Sequence, residues 1–413
     1  MIEACIKSVV LLGGIMTAAA YFVLLERRVA AWVQDRIGPN RVGIPLTNVR
    51  LFGLGQPLAD GLKFILKEEF TPAHVDRGLF LVAPLTIMVA ALAAFAVIPF
   101  GSQLPPRLFG WQYADGPVDL TVVPGIDVAM IYVFALSSIA VYGVILGGWA
   151  SNNKYSFLGS LRSSAQLVAY ELLLGLGLLG VVVSAGSLNL TEIIGAQARE
   201  GWYALLQPLG FVVFAVASFA EAARLPFDLP ECEQELVGGY HTEYSGMKLL
   251  LFLTAEFIHM ITAALLMVVL FLGGWHFPWL TGSSLALDGW GFQGEIWFWL
   301  QALVRIGVLA VKTILVILFF MLVRWTWPRF RFDQLMSLAW KVMLPLGLVN
   351  FVAVAILMQL QAAWDAAWLR WLSIVIAWVL AAAAWVLVSL AGPSTSDNRP
   401  RRRREPMEAG QRV

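Results

Sequence analysis

The chain has 413 residues, 59% hydrophobic and 13% charged, with mean hydropathy +0.76 and a formal net charge of +1. A soluble domain carries about 25% charged residues, so this composition excludes a water-soluble globule and predicts an all-α polytopic membrane protein. Two cysteines, Cys5 and Cys232, exclude a disulfide framework, a zinc ribbon and an iron–sulfur cluster held on four thiolates.

Runs of about 20 apolar residues predict nine spans, near 5–25, 79–100, 125–148, 165–187, 204–222, 249–273, 301–323, 341–361 and 368–391. The first leads into Glu26-Arg27-Arg28 with no small-residue cleavage site behind it, and reads as a retained helix. The last two are joined by a very short connection and should form an antiparallel hairpin. Segments 26–78, 149–164, 223–248, 324–341 and 392–413 hold 22 of the 28 Lys and Arg residues. This asymmetry predicts that they face the cytoplasm and that the N-terminus lies outside. The loop 274–300 has no Lys or Arg but carries Trp275, Phe277, Trp279, Trp290, Trp297 and Trp299, the pattern of an interfacial aromatic belt. Residues 1–392 thus read as one transmembrane domain, and 393–413 as an arginine-rich, disordered cytoplasmic tail.

Two loops are too patterned to be connectors. In 26–78, Leu51, Leu54, Leu58, Leu62 and Ile65 follow helical spacing, with Asp60, Lys63 and Lys67 on another face. Such a segment is too short to cross and should lie along the interface. Ahead of it, Arg36-Ile-Gly-Pro-Asn-Arg41-Val-Gly presents cations on a rigid turn, suited to anionic lipid or to a soluble partner. The loop 223–248 continues an acidic cluster. Glu221, Asp228, Glu231, Glu233, Glu235 and Glu243 stand against only Arg224 and Lys248. Phe227, Leu229, Leu236 and Val237 interrupt these charges and Pro226 and Pro230 fix the backbone, which argues against a solvated acidic loop. Carboxylates so crowded repel one another, and their proton affinity responds to nearby charge.

Inside the spans sit Glu171, Glu221, Glu256, His259, Arg305 and Lys312, with Asp127 near the start of the third, which has no acid of its own. Glu256 and His259 are i,i+3, and Arg305 and Lys312 are i,i+7, so each pair shares a helix face. Facing one another, the pairs would make a hydrated polar path. The residues alone leave open a proton-coupled transporter, a coupling component of a larger complex and a passive anchor.

The stretch Arg224-Leu-Pro-Phe-Asp-Leu-Pro-Glu-x-Glu-x-Glu-Leu-Val-x-Gly-Tyr-x-x-Glu-Tyr-Ser-Gly-Met-Lys248 resembles the signature of a known family. That family is the H subunit of the bacterial proton-translocating NADH–quinone oxidoreductase (respiratory complex I), counterpart of mitochondrial NADH dehydrogenase subunit 1. Further matches are the Arg36–Gly43 turn, Gln56-Pro-Leu-Ala-Asp60-Gly-Leu-Lys63, Gly148-Trp-Ala-Ser-Asn-Asn-Lys-Tyr155 and Tyr170-Glu171, in order up to about residue 361. The ninth span and the tail lie outside the family's eight-helix pattern.

The resemblance implies a subunit of the proton-translocating NADH:quinone oxidoreductase in the bacterial cytoplasmic (inner) membrane. It implies a quinone chamber shaped by Arg36, Arg41, Asp60, Lys63, Arg224 and Asp228. It also implies a proton path through Glu171, Glu221, Glu231, Glu233, Glu235, Glu243 and Glu256, to which the in-span bases Arg305 and Lys312 are added. Quinone would be the substrate, with no metal, flavin, iron–sulfur cluster or nucleotide on this chain. Partners would be other membrane-arm subunits, the quinone-proximal hydrophilic subunits and membrane lipids, with no nucleic acid.

Overall fold

The structure, a computed structural model, describes residues 2–43, 52–108, 111–112, 116–228, 236–278, 280–281, 295–364 and 367–391. Among them, eight helices are long and apolar enough to cross a membrane, and Pro208–Glu221 is apolar but shorter. In chain order the helices are α1 (Ile2–Val33), α2 (Gln56–Leu66), α3 (Arg77–Ala93), α4 (Ala129–Ala150), α5 (Lys154–Ala185), α6 (Leu190–Glu200) and α7 (Tyr203–Leu206). Then come α8 (Pro208–Glu221), α9 (Gly246–Phe271), α10 (Glu295–Thr326), α11 (Phe332–Ser337), α12 (Leu344–Ala363) and α13 (Ala367–Ala391). The chain is an all-α polytopic membrane protein. Its only strands among the described residues are two short antiparallel pairs between α3 and α4, Gln103–Leu104 with Val118–Asp119 and Arg107–Leu108 with Trp111–Gln112.

Helix α9 is mostly apolar, interrupted by Glu256 and His259, and is buried almost continuously from Ala255 to Phe271, as a central helix must be. Around it pack α1, α3, α8 and α10, while α5 joins α4, α8 and α12. The last two helices form the expected hairpin, and Gln361 Nε2 donates to Ser373 Oγ across it at 2.8 Å.

The elements depart from the sequence expectation in four places. Helix α1 continues to Val33, so Glu26, Arg27 and Arg28 ride on a helix rather than in a loop. The fifth span breaks at Gln207 (φ −135°, ψ 64°), because the ring of Pro208 disfavours helical geometry in the residue before it and then starts α8 itself. Helix α6 was not expected; Asn189 caps it and Leu190, Ile193 and Ile194 bury one face. Trp275, expected in an interfacial belt, is instead 2% exposed, turned inward after the left-handed Gly273 and Gly274.

Helix α2 has no buried residue, and Leu58, Leu62 and Ile65 are exposed. The apolar face is therefore left uncovered by the described chain, as an interfacial helix requires. Its polar side turns back on α1, where Arg27 pairs with Asp60 at 2.7 Å.

Four of the basic segments meet at one end of the bundle. Asn152 Nδ2 donates to the His74 carbonyl at 3.1 Å and Asn153 Nδ2 to Glu243 Oε1 at 2.6 Å. Lys248 Nζ donates to Thr71 Oγ1 at 2.9 Å, and the Phe330 N–H to the Pro226 carbonyl at 3.2 Å.

Candidate functional site: a polar chamber joined to a carboxylate cluster

At this basic end a polar chamber of about 730 Å³ opens between α1, the turn that follows it, α2, α9 and α10. Among the described residues, Arg27, Arg36, Arg41, Gln56, Arg224 and Arg324 line it around a single carboxylate, Glu26. Glu26 is 7% exposed and bonds Arg324, with Arg224 at 3.8 Å. Gln56 Nε2 and Arg27 both donate to Asp60, at 3.0 and 2.7 Å, which fixes α2 against the chamber wall. Lys63 is exposed and does not line the chamber.

Arg224 forms the inner wall. Its guanidinium lies 4.3 Å from the ring centre of Phe257, faces Glu26 on the chamber side and reaches Glu256 at 3.9 Å on the other. Glu256 also accepts a hydrogen bond from the Tyr240 hydroxyl at 3.1 Å. Beyond it, a cavity of about 50 Å³ is walled by Ser137, Glu171, Glu221, Tyr240, Glu256 and His259. Five helices, α3, α4, α5, α8 and α9, meet here, and α4 supplies hydroxyls where the third span lacks an acid. Ser137 donates to Glu221 and Ser138 to Glu171. A further void of about 20 Å³ shares Ser137, Glu221 and His259 and extends to Ser218 and Thr262. Cavities of these volumes with several polar groups in their walls suit water.

The loop that carries Arg224 is held from α5. The buried Gln166 amide donates to the carbonyls of Ala220 at 2.8 Å and Phe227 at 2.7 Å, tying both ends of the loop together. Tyr240 is set by a close backbone approach. A Cβ on Gly159 would stand 2.8 Å from Gly239 Cα and 2.9 Å from the Tyr240 nitrogen, so only glycine lets this turn lie on α5. Tyr244 stacks on Phe80 at 3.9 Å, and burial pushes its phenol above the usual range, so it stays protonated.

The remaining expected residues lie elsewhere. Glu243 is held by Asn153 at the rim, and Asp228 is half-buried at the end of the Arg224 loop. Glu231, Glu233 and Glu235 lie outside the described residues. Arg305 and Lys312 do not face Glu256 and His259, which corrects the expected pairing. Lys312 Nζ donates to the carbonyls of Leu272, Gly274 and His276, capping the far end of α9, and Arg305 donates to the Thr281 carbonyl at 3.3 Å. Spacing identified the shared face of each pair but could not say which helix end that face meets. Sequence reasoning missed Glu26, Arg324, Ser137, Ser138 and Tyr240; the adjacent serines in an apolar span were the available signal.

The family model described as NADH dehydrogenase matches residues 6–355. The NADH-quinone oxidoreductase H 1 subunit of Geobacter metallireducens is 47% identical over 348 residues, 84% of this chain and 94% of that one. The oxidoreductase's subunit 8 of Thermus thermophilus is 46% identical over 355 residues, covering 86% and 87%, and the H 1 subunit of Cytophaga hutchinsonii is 42% identical over 355 residues, covering 85% and 96%. The chain belongs to the family of NADH-quinone oxidoreductase H subunits. It is a multi-pass membrane subunit of that oxidoreductase complex, and the other subunits of the complex are its partners. The family match ends at residue 355, before α13 and the arginine-rich tail.

Proposed function

We propose that the 730 Å³ chamber admits the quinone substrate and that Arg224 passes the charge change of quinone reduction to the carboxylates behind it. Arg36, Arg41 and Arg224 shape the chamber, joined by Glu26 and Arg324; Asp60 fixes its α2 wall. Glu256, Glu171 and Glu221 form the inner path. From the sequence, Glu231, Glu233, Glu235 and Glu243 are assigned to the same path and Asp228 to the chamber. Reducing a quinone takes two electrons and two protons. A cationic chamber stabilises the negative charge that precedes protonation, and that charge competes with Glu26 and Glu256 for Arg224. At an effective dielectric of about 20, unit charges about 4 Å apart interact by roughly 4 kcal/mol. That exceeds the roughly 2.3 kcal/mol for moving one charge against 100 mV, so a change of partner at Arg224 is large enough to drive a proton step.

Arg224, standing between Glu26 and Glu256, carries this reading. The basic end then faces the cytoplasm, with the N-terminus outside, in the bacterial cytoplasmic membrane, and the hydrophilic quinone-proximal subunits dock on it. Glu256→Gln in the assembled complex tests the proposal. NADH oxidation by an artificial acceptor should be unchanged, while quinone reduction and proton pumping fall together. Unchanged pumping, or loss of the acceptor activity, contradicts it.

A further inference from the structure

One titratable group beside the carboxylate cluster has no role in the proposed path. Between Ala255 and Phe271 on α9, only Glu256 and His259 are not fully buried, and both line the 50 Å³ cavity. Glu256 is held by Arg224 and by the Tyr240 hydroxyl. The His259 imidazole makes no hydrogen bond, ion pair or ring contact among the described residues. An imidazole unpaired in the interior calls for a polar partner, and the space beside it supplies room for one. His259 also lines the 20 Å³ void, so that both cavities reach it. A water needs roughly 10–15 Å³ of such space, so the first cavity admits a few waters and the second about one.

The linings give this site a direction. At about 1.5 Å per residue, His259 lies roughly 4.5 Å farther from the basic end than Glu256, and roughly 20 Å from Gly246, near the middle of α9. The titratable groups that face the larger cavity with it are Glu171 from α5, Glu221 from α8, Tyr240 and Glu256, while α3 and α4 bring none. In the smaller void, Ser218 and Thr262 already donate their hydroxyl protons to the Phe214 and Ile258 carbonyls, at 2.8 and 3.0 Å. Only their lone pairs are left, so a water there donates to them and accepts from an imidazole N–H. The other ring nitrogen is then the acceptor, available to the waters of the larger cavity.

We propose that His259 is the proton acceptor at the inner end of the carboxylate cluster. The step rests on the proton path proposed above: a proton leaves the Glu256 or Glu221 carboxyl group, crosses a water of the larger cavity and adds to the accepting imidazole nitrogen. The products are a carboxylate and an imidazolium, and no electron moves. Glu171, Glu221 and Glu256 surround the cation with carboxylates, which favour its charged form. Imidazole suits the step because small changes in nearby charge move it between its two protonation states.

The intact complex carrying isotopically labelled histidine, followed by infrared difference spectroscopy as the quinone is reduced, tests this. The parent should show a reduction-linked imidazole ring band that shifts with the label. That band should vanish in His259→Asn, which keeps hydrogen-bonding groups but cannot take up a proton, and persist in His276→Asn. In vesicles, His259→Asn should also slow quinone-linked pumping at least about tenfold, with NADH oxidation by an artificial acceptor unchanged. Should His259→Asn block assembly, His259→Gln takes its place. Absence of a label-sensitive band from the parent, or its survival in the His259 variant, would overturn the proposal. Parent-rate pumping in the His259 variant together with its loss in Glu256→Gln would overturn the histidine station alone. Parent-rate pumping in both variants would overturn the acidic path as well.

Discussion

Arg224 is the side chain on which the two cavities depend, because it is the cation placed between Glu26 and Glu256. Removing one partner of a buried ion pair costs about 3–5 kcal/mol. Arg224→Met should therefore lower the melting temperature of the complex and cut quinone-linked turnover more than tenfold, with NADH oxidation by an artificial acceptor intact. Arg224→Lys keeps the charge but not the planar fork, and should be intermediate. The α4 serines give a finer test. A hydrogen bond to a charged group contributes about 1.5–3 kcal/mol, so Ser137→Ala with Ser138→Ala should slow pumping by roughly tenfold or more without loss of assembly. Equal pumping in the double variant and the parent would remove α4 from the path. Glu171, Glu221, Arg224 and Glu256 were legible in the sequence because a charge is conspicuous in an apolar run. Ser137 and Ser138 were not, since a hydroxyl in a helix usually bonds its own backbone, as Thr86 does to Val82. Glu26 escapes a hydropathy reading because Arg27 and Arg28 end the apolar run there, whereas α1 carries on to Val33.

Among the elements, the long helices were readable from hydropathy, whereas the break at Gln207 was not foreseen although Pro208 explains it. What periodicity could not supply was the partner of each face, which only packing decides; Arg305 and Lys312 sit one helix end away from where their spacing suggested. Helix α2 shows the opposite case, because its apolar face has no partner in the described chain and its role follows from that exposure. A nitroxide at Leu62 should therefore report lipid and one at Lys63 water, measured by oxygen and nickel-chelate accessibility; equal water exposure at both would place α2 off the membrane. The turn at Gly239 lies on α5 at a distance that leaves no space for a side chain on Gly159. Gly159→Val should push Tyr240 away from Glu256 and reduce quinone-linked turnover, with Gly159→Ala milder; full turnover in Gly159→Val would show that this contact does not position Tyr240.

For the molecule as a whole, the basic segments, the polar chamber and the way into the carboxylate cluster lie at the same end of the bundle, while Lys312 and Arg305 secure the other. This places the 730 Å³ chamber next to the surface where hydrophilic subunits are proposed to dock, with the carboxylate cluster behind it. The central claim is that quinone reduction changes the protonation of carboxylates behind Arg224. Infrared difference spectroscopy of the assembled complex, recorded as the quinone is reduced, observes this directly through the protonated-carboxyl C=O stretch. The account predicts a reduction-linked carboxyl band that is lost in Glu221→Gln and in Glu256→Gln, and shifted when Ser137 is replaced by Ala. A spectrum without such a band, or one unchanged in both glutamine variants, would contradict it.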